Sequence, residues 1–135
     1  HKVCGILIEN SISGSSIQFS VVGIGLNINQ LTFYKLNATS LKQVTGFDYI
    51  LENELHALLQ VIETRYLQLR EGKRDLLERD YLKNLYRLGE QHLFITSTGS
   101  IQGTIMGVDS QGRLLLQTES GTQAYDLKDI RFADF

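Results

Sequence analysis

The sequence predicts an α+β protein: a partial mixed β-sheet with packed helices, followed by a small β-barrel. Three observations carry that prediction. Two apolar, β-branched runs near the N-terminus are separated by a Ser/Asn/Gly stretch, the pattern of paired strands. A central region repeats apolar residues at three- and four-residue steps, the helical period. After Gly89 the period shortens again, and brief alternating runs are divided by glycine-bearing turns. At 135 residues with 42% hydrophobic and 21% charged side chains, the chain has the size of one compact domain or two small ones. The change of period sets the domain boundary near Gly89-Glu90, giving residues 1–89 and 90–135.

Taken in order, Val3 to Glu9 reads as a short buried strand. Asn10 to Ser16 separates it from a second run, Ile17 to Leu26, whose first half alternates. Asn27 to Asn37 is mixed and reads as loop. Thr39-Ser40-Leu41 starts a short helix that Gly46 stops, because glycine adopts the left-handed cap without a Cβ penalty. Asp48 is placed to cap a long helix in which Leu51, Leu55, Leu58, Leu59, Ile62, Tyr66 and Leu69 form one stripe as far as Gly72. A second helix follows within Lys73 to Leu88, with Leu77, Tyr81, Leu85 and Leu88 on one side. The Tyr and Leu residues of both helices read as core. Strands are then expected at Leu93–Ser97, Ile101–Val108, Arg113–Thr118, Gln123–Leu127 and Ile130–Phe132. Five strands so close together imply a barrel, which protects sheet edges.

Composition narrows the functional classes. Thirteen Lys and Arg against fifteen Asp and Glu give a net charge of −2, so bulk electrostatics draw the chain to neither nucleic acid nor an anionic membrane. The single cysteine, Cys4, rules out an internal disulfide and a multi-Cys metal site; it reads as a small buried thiol in a reducing, cytoplasmic setting. Val21 to Leu26 is far short of the ~20 apolar residues that span a bilayer. No HExxH, GxSxG, P-loop or complete GxGxxG occurs.

What remains is a small set of candidates. Gly23-Ile24-Gly25 places two glycines in a strand, which weakens it by roughly 0.5–1 kcal/mol each relative to Ala and makes sense where a ligand or another backbone comes close. Asn27 and Asn29 stand just past them, as turn residues or as amides that read a polar ligand. Lys2, three residues before Gly5, offers a cation to a carboxylate or phosphate, or is a solvated surface lysine. Glu9 ends the first strand, where it is a general base only if a partner exists. His56 and His92 have no partner at metal-ligand spacing, and no metal site is expected.

These residues also carry a family likeness. Lys2-Val3-Cys4-Gly5-Ile6-Leu7-Ile8-Glu9 resembles the Lys-x-x-Gly-Ile-Leu-x-Glu strand of biotin protein ligases, and Val22-Gly23-Ile24-Gly25-Leu26-Asn27 resembles the Gly-x-Gly-x-Asn strand that follows it. Ala38-Thr39-Ser40-Leu41 is similar to the segment opening that family's next helix. Gly103, Gly107-Val108-Asp109, Gly112 and Leu114 resemble its C-terminal SH3-like domain. The family's upstream Gly-Arg-Gly loop and Lys-Trp-Pro-Asn-Asp motif are not present, so the resemblance is to the second part of the catalytic domain plus the C-terminal domain.

The resemblance implies a two-step ligase that forms biotinyl-5′-AMP from biotin and ATP, with Mg²⁺ accompanying the nucleotide. Biotin then passes to a lysine of a biotin carboxyl carrier domain. It implies Lys2 as the catalytic cation, with Lys2, Gly5, Leu7, Gly23 and Gly25 around biotin and Asn27 facing the nucleotide. This chain alone, holding half of such a site, is expected to be inactive. No contact with nucleic acid or membrane is expected from it, and homodimerisation stays open. Two alternatives remain at this point: a non-catalytic SH3-like protein-binding module on a helical scaffold, and a lipoate ligase relative.

Overall fold

The computed structural model of the chain describes residues 1–14, 16–34 and 37–133. Ser15, Lys35 and Leu36, in segments read above as connectors, and the terminal Asp134 and Phe135 lie outside the described residues. The chain divides into two compact units, His1–Ile62 and Glu63–Phe135.

In the first unit, β1 (Cys4–Ser13) and β2 (Ser16–Leu26) form a long antiparallel ribbon. Lys2 makes one isolated parallel bridge to Ala38, outside this two-stranded sheet. Helix α1 (Leu41–Thr45) is capped by Ser40, whose Oγ accepts from the Gln43 amide at 3.1 Å, and ends at Gly46 with φ 81°. Ser40 is fully buried. Helix α2 (Leu51–Arg70) starts in this unit and runs across the division. It closes on a double cap in which Lys73 N–H donates to Gln68 O and Gly72 N–H to Leu69 O, with Gly72 at φ 77°. That turn requires a left-handed residue, which glycine supplies.

The second unit holds α3 (Arg74–Lys83) and five antiparallel strands: β3 (Gln91–Thr96), β4 (Gly99–Val108), β5 (Leu114–Thr118), β6 (Gly121–Tyr125) and β7 (Ile130–Phe132). Their order in the sheet is β6-β5-β4-β3-β7, and no ladder joins β6 to β7 among the described residues. Phe94, Ile105, Leu116 and Ile130, one from each of four strands, are the buried core. A bulge between Ile105 and Gly107 lets β4 bend over it. The turn after β4 is tied by Asp109. Its Oδ1 accepts from the amides of Gln111 and Arg113, both at 2.9 Å, and its Oδ2 accepts from Arg113 Nε at 2.7 Å.

Several expectations need correction. The ribbon is not buried: Ile6, Leu7 and Ile8 are each more than half exposed, because only two strands are present and neither face carries a layer in the described residues. Asn10 to Ser13 belongs to β1 rather than to a connector, since the ladder continues through a bulge at Ser11/Ile12. The stripe on α2 exists, yet Leu51, Leu55, Leu59 and Ile62 are exposed, and neither α2 nor α3 contains a buried residue. Periodicity identifies an apolar face but cannot say whether anything covers it. Asp48 is not the cap of α2; its carboxylate takes Lys42 Nζ at 2.5 Å, and the first helical bonds run to Ile50 O. Cys4 is half-buried, not buried.

Candidate functional site

The register of the ribbon decides what shares a face. Gly5 pairs with Gly25 and Leu7 with Gly23. Residues two apart in a strand, and directly opposed residues in an antiparallel pair, point to the same side. Gly5, Leu7, Gly23 and Gly25 therefore form a single two-by-two patch, roughly 7 Å along the strands and about 5 Å across. Three of its four corners lack side chains. A Cβ at Gly23 would have only Leu7 O within 4 Å, at 3.9 Å, and one at Gly25 only Gly5 O, at 4.0 Å. No side chain covers those two glycines. Glu9 continues the same face, opposite Val21. It is exposed, and among the described residues no basic side chain pairs with it.

Lys2 comes to this patch. Its Cε and Nζ both lie 3.5 Å from where a Gly5 Cβ would stand. Those are ordinary van der Waals distances, so the Lys2 side chain lies over the Gly5 position. Among the described residues no carboxylate pairs with Lys2. An unneutralised cation at the rim of a bare strand surface can receive a carboxylate or phosphate oxygen.

Asn27 directly follows β2 and is half-buried. Its Nδ2 donates to Thr39 O at 3.0 Å and more loosely to Lys2 O at 3.4 Å, while its backbone N–H donates to Val3 O at 2.9 Å. Asn29 donates from Nδ2 to Tyr49 O at 2.8 Å and accepts from Tyr49 N–H at 3.0 Å through Oδ1. Both ends of that amide are used in a clasp that mimics a strand pair, so of the two readings offered for Asn29 the structural one fits. Nothing in the spacing of residues 27, 29, 39 and 49 announces these links, which join positions 12 and 20 apart in sequence.

His56 is an exposed helix residue. His92 Nε2 lies 2.9 Å from Glu90 and its Nδ1 3.2 Å from Arg87 NH1, an arrangement at the start of β3 in the other unit. Among the described residues no group of three His, Cys, Asp or Glu side chains assembles into a metal site. No described helix is long and apolar enough to cross a membrane.

Comparison with known proteins bears on this geometry. The model of the biotin protein ligase C-terminal domain matches residues 88–135. A biotin–[acetyl-CoA-carboxylase] ligase from Paracoccus denitrificans is 30% identical over 137 residues, covering 97% of this chain and 57% of that protein. Over nearly its whole length the chain is similar to biotin protein ligases. The bifunctional ligase/repressor BirA of Bacillus spizizenii is 28% identical across 96% of this chain and 41% of its own length. Among solved structures, the apo biotin protein ligase of Aquifex aeolicus superposes with a TM-score of 0.74 at 26% identity, over 97% of this chain and 59% of that one. The A. aeolicus ligase in complex with biotin and ATP gives 0.73 at 26% identity, over 97% and 56%. The chain spans about half the length of the relatives it matches.

Proposed function

We propose that the chain is the C-terminal part of an ATP-dependent biotin–protein ligase and that the Lys2–glycine patch is its biotin-binding face. In the first step a biotin carboxylate oxygen attacks the α-phosphorus of ATP; the new O–P bond displaces pyrophosphate and leaves biotinyl-5′-AMP. In the second, the amine of a carrier-domain lysine attacks the acyl carbon, forms an amide and releases AMP. Both steps place negative charge on oxygens beside the acyl group. The Lys2 ammonium supports that charge from a fixed position, without reorganisation during reaction. The bare backbone at Gly5, Gly23 and Gly25 admits a flat bicyclic ligand close to the main chain, and Leu7 adds apolar contact.

Asn27 faces the nucleotide in this reading, through the Oδ1 that its links to Lys2 and Thr39 leave open. Magnesium would arrive on the nucleotide; the described residues offer no site of their own for it, and no step here runs through it. The division into a catalytic part, 1–89, and an SH3-like part, 90–135, the cytoplasmic setting, the carrier-domain partner and a homodimer belong to the same proposal. The observation that carries it is that Lys2 Nζ stands 3.5 Å from where a Gly5 Cβ would be, on the open face that also presents Gly23 and Gly25.

The test is Lys2→Ala in the protein with its complete coding sequence. Adenylate formation should slow by about 10²–10³-fold, the usual effect of removing one preorganised charge-stabilising group, while biotin affinity falls far less. Equal and small effects on both would return Lys2 to an ordinary surface lysine.

A further inference from the structure

We infer that Asn27 is a positioning residue that holds Lys2 in place by strapping its main chain to the segment ahead of α1. The inference rests on the proposed role of Lys2. Its basis is how residue 2 is held. The bridge between Lys2 and Ala38 stands alone, outside any ladder, and consists of Lys2 N–H donating to Asn37 O and Thr39 N–H donating to Lys2 O, each at 3.0 Å. A two-bond bridge with no neighbouring rungs is weak by itself.

The Asn27 amide closes it from the side. Both oxygens within its reach, Thr39 O and Lys2 O, are acceptors only, so the NH₂ end must face them. The Asn27 backbone completes the joint: its N–H donates to Val3 O, and its carbonyl accepts the Leu41 amide at 3.0 Å, next to the Lys42 amide on Ile28 O at 2.9 Å. Three segments, residues 2–3, 27–28 and 39–42, meet at this side chain. The Lys2 side chain has no hydrogen-bond or ion-pair partner among the described residues, so its ammonium is aimed over Gly5 chiefly by where the main chain of residue 2 is fixed. Loss of the strap should therefore be felt at the ammonium.

Asn27→Asp keeps the side-chain shape and an acceptor oxygen but removes both donated bonds, and the neutral Asn27→Ser controls for the charge it adds. In the complete protein, pyrophosphate release should slow by about tenfold or more, as displacement of a catalytic group by a fraction of an ångström does. The rate is read at saturating ATP, because Asn27 Oδ1 also faces the nucleotide in the proposed site and its loss would raise the KM for ATP. In a Lys2→Ala background the same change should cost nothing further, because residues acting as one unit are non-additive. Hydrogen exchange at the Thr39 amide, which bonds Lys2 O, should quicken, while that at Leu41 and Lys42, bonded to the main chain of residues 27 and 28, holds.

A wild-type rate for Asn27→Asp at saturating ATP, or full additivity with Lys2→Ala, would overturn the strap. If Asn27→Asp does not fold, Asn27→Ser, neutral and smaller, is read by the same criteria. Should Lys2→Ala alone leave adenylate formation untouched, the reading of the site fails. The Thr39 exchange result still decides whether the strap exists.

Discussion

Replacing Gly25 with valine separates a ligand-facing glycine from one required by the chain's own packing. The strand backbone at Gly25 lies outside the left-handed region, so an L residue fits there, and its Cβ would meet nothing nearer than Gly5 O at 4.0 Å. The folded chain should therefore accept the side chain without a clash. A strand glycine costs roughly 0.5–1 kcal/mol relative to Ala, and β-branched residues suit strands, so stability should hold or rise. The gain corresponds to at most a few degrees in Tm. Ligand binding should move the other way. The isopropyl group would stand on the patch, where the proposed ligand needs bare backbone, and overpacking of such a surface costs typically 1–3 kcal/mol. That is about tenfold to a hundredfold in Kd. Calorimetric titration of biotin into the complete protein, with thermal melts of the same samples, reads both quantities. A Tm lowered by several degrees with biotin affinity intact would refute the reasoning and assign the glycines to internal packing.

Two further outcomes test the second unit. Asp109 is held below its ordinary carboxylate value, first by the Arg113 backbone N–H, which outweighs an opposing desolvation, and then by the Arg113 side chain and the Gln111 amide. A carboxyl whose folded value is depressed contributes stability above its unfolded value and loses it as pH falls through the folded one. Acidification below the normal carboxylate range should therefore lower the melting temperature of wild type more than that of Asp109→Asn, and parallel pH profiles would remove Asp109 from the account. Leu116→Ala, at a side chain with no exposure, should cost 2–5 kcal/mol as read by denaturant unfolding; a loss under about 1 kcal/mol would mean that the site collapses around the gap.

The order of elements was legible in the sequence because period and punctuation are local: Gly46 and Gly72 end helices through left-handed φ, and the five strands of the second unit fall close to the runs between its glycine turns. The strand pair and its glycines were visible for the same reason. Register was not. That Gly5 opposes Gly25 and Leu7 opposes Gly23 depends on where the ladder slips at Ser11/Ile12, and one residue of slip would have turned Leu7 to the other face. The strap at Asn27 and the clasp at Asn29 were equally hidden, since a side-chain amide bonding a carbonyl 12 or 20 residues away leaves no periodic trace. Burial was overread: hydrophobic spacing marks a stripe on α2, but the packing partner is not part of the pattern.

The two-stranded ribbon is hydrocarbon on both sides, with Ile6, Ile8 and Val22 on one and Leu7, Phe19 and Val21 on the other, all more than half exposed. Oily ground of this kind is adhesive wherever it stays wet. Samples in which nothing shields it should light up an environment-sensitive dye and scatter more as they are concentrated, so dilute conditions and early light-scattering checks belong at the start of any work with this polypeptide.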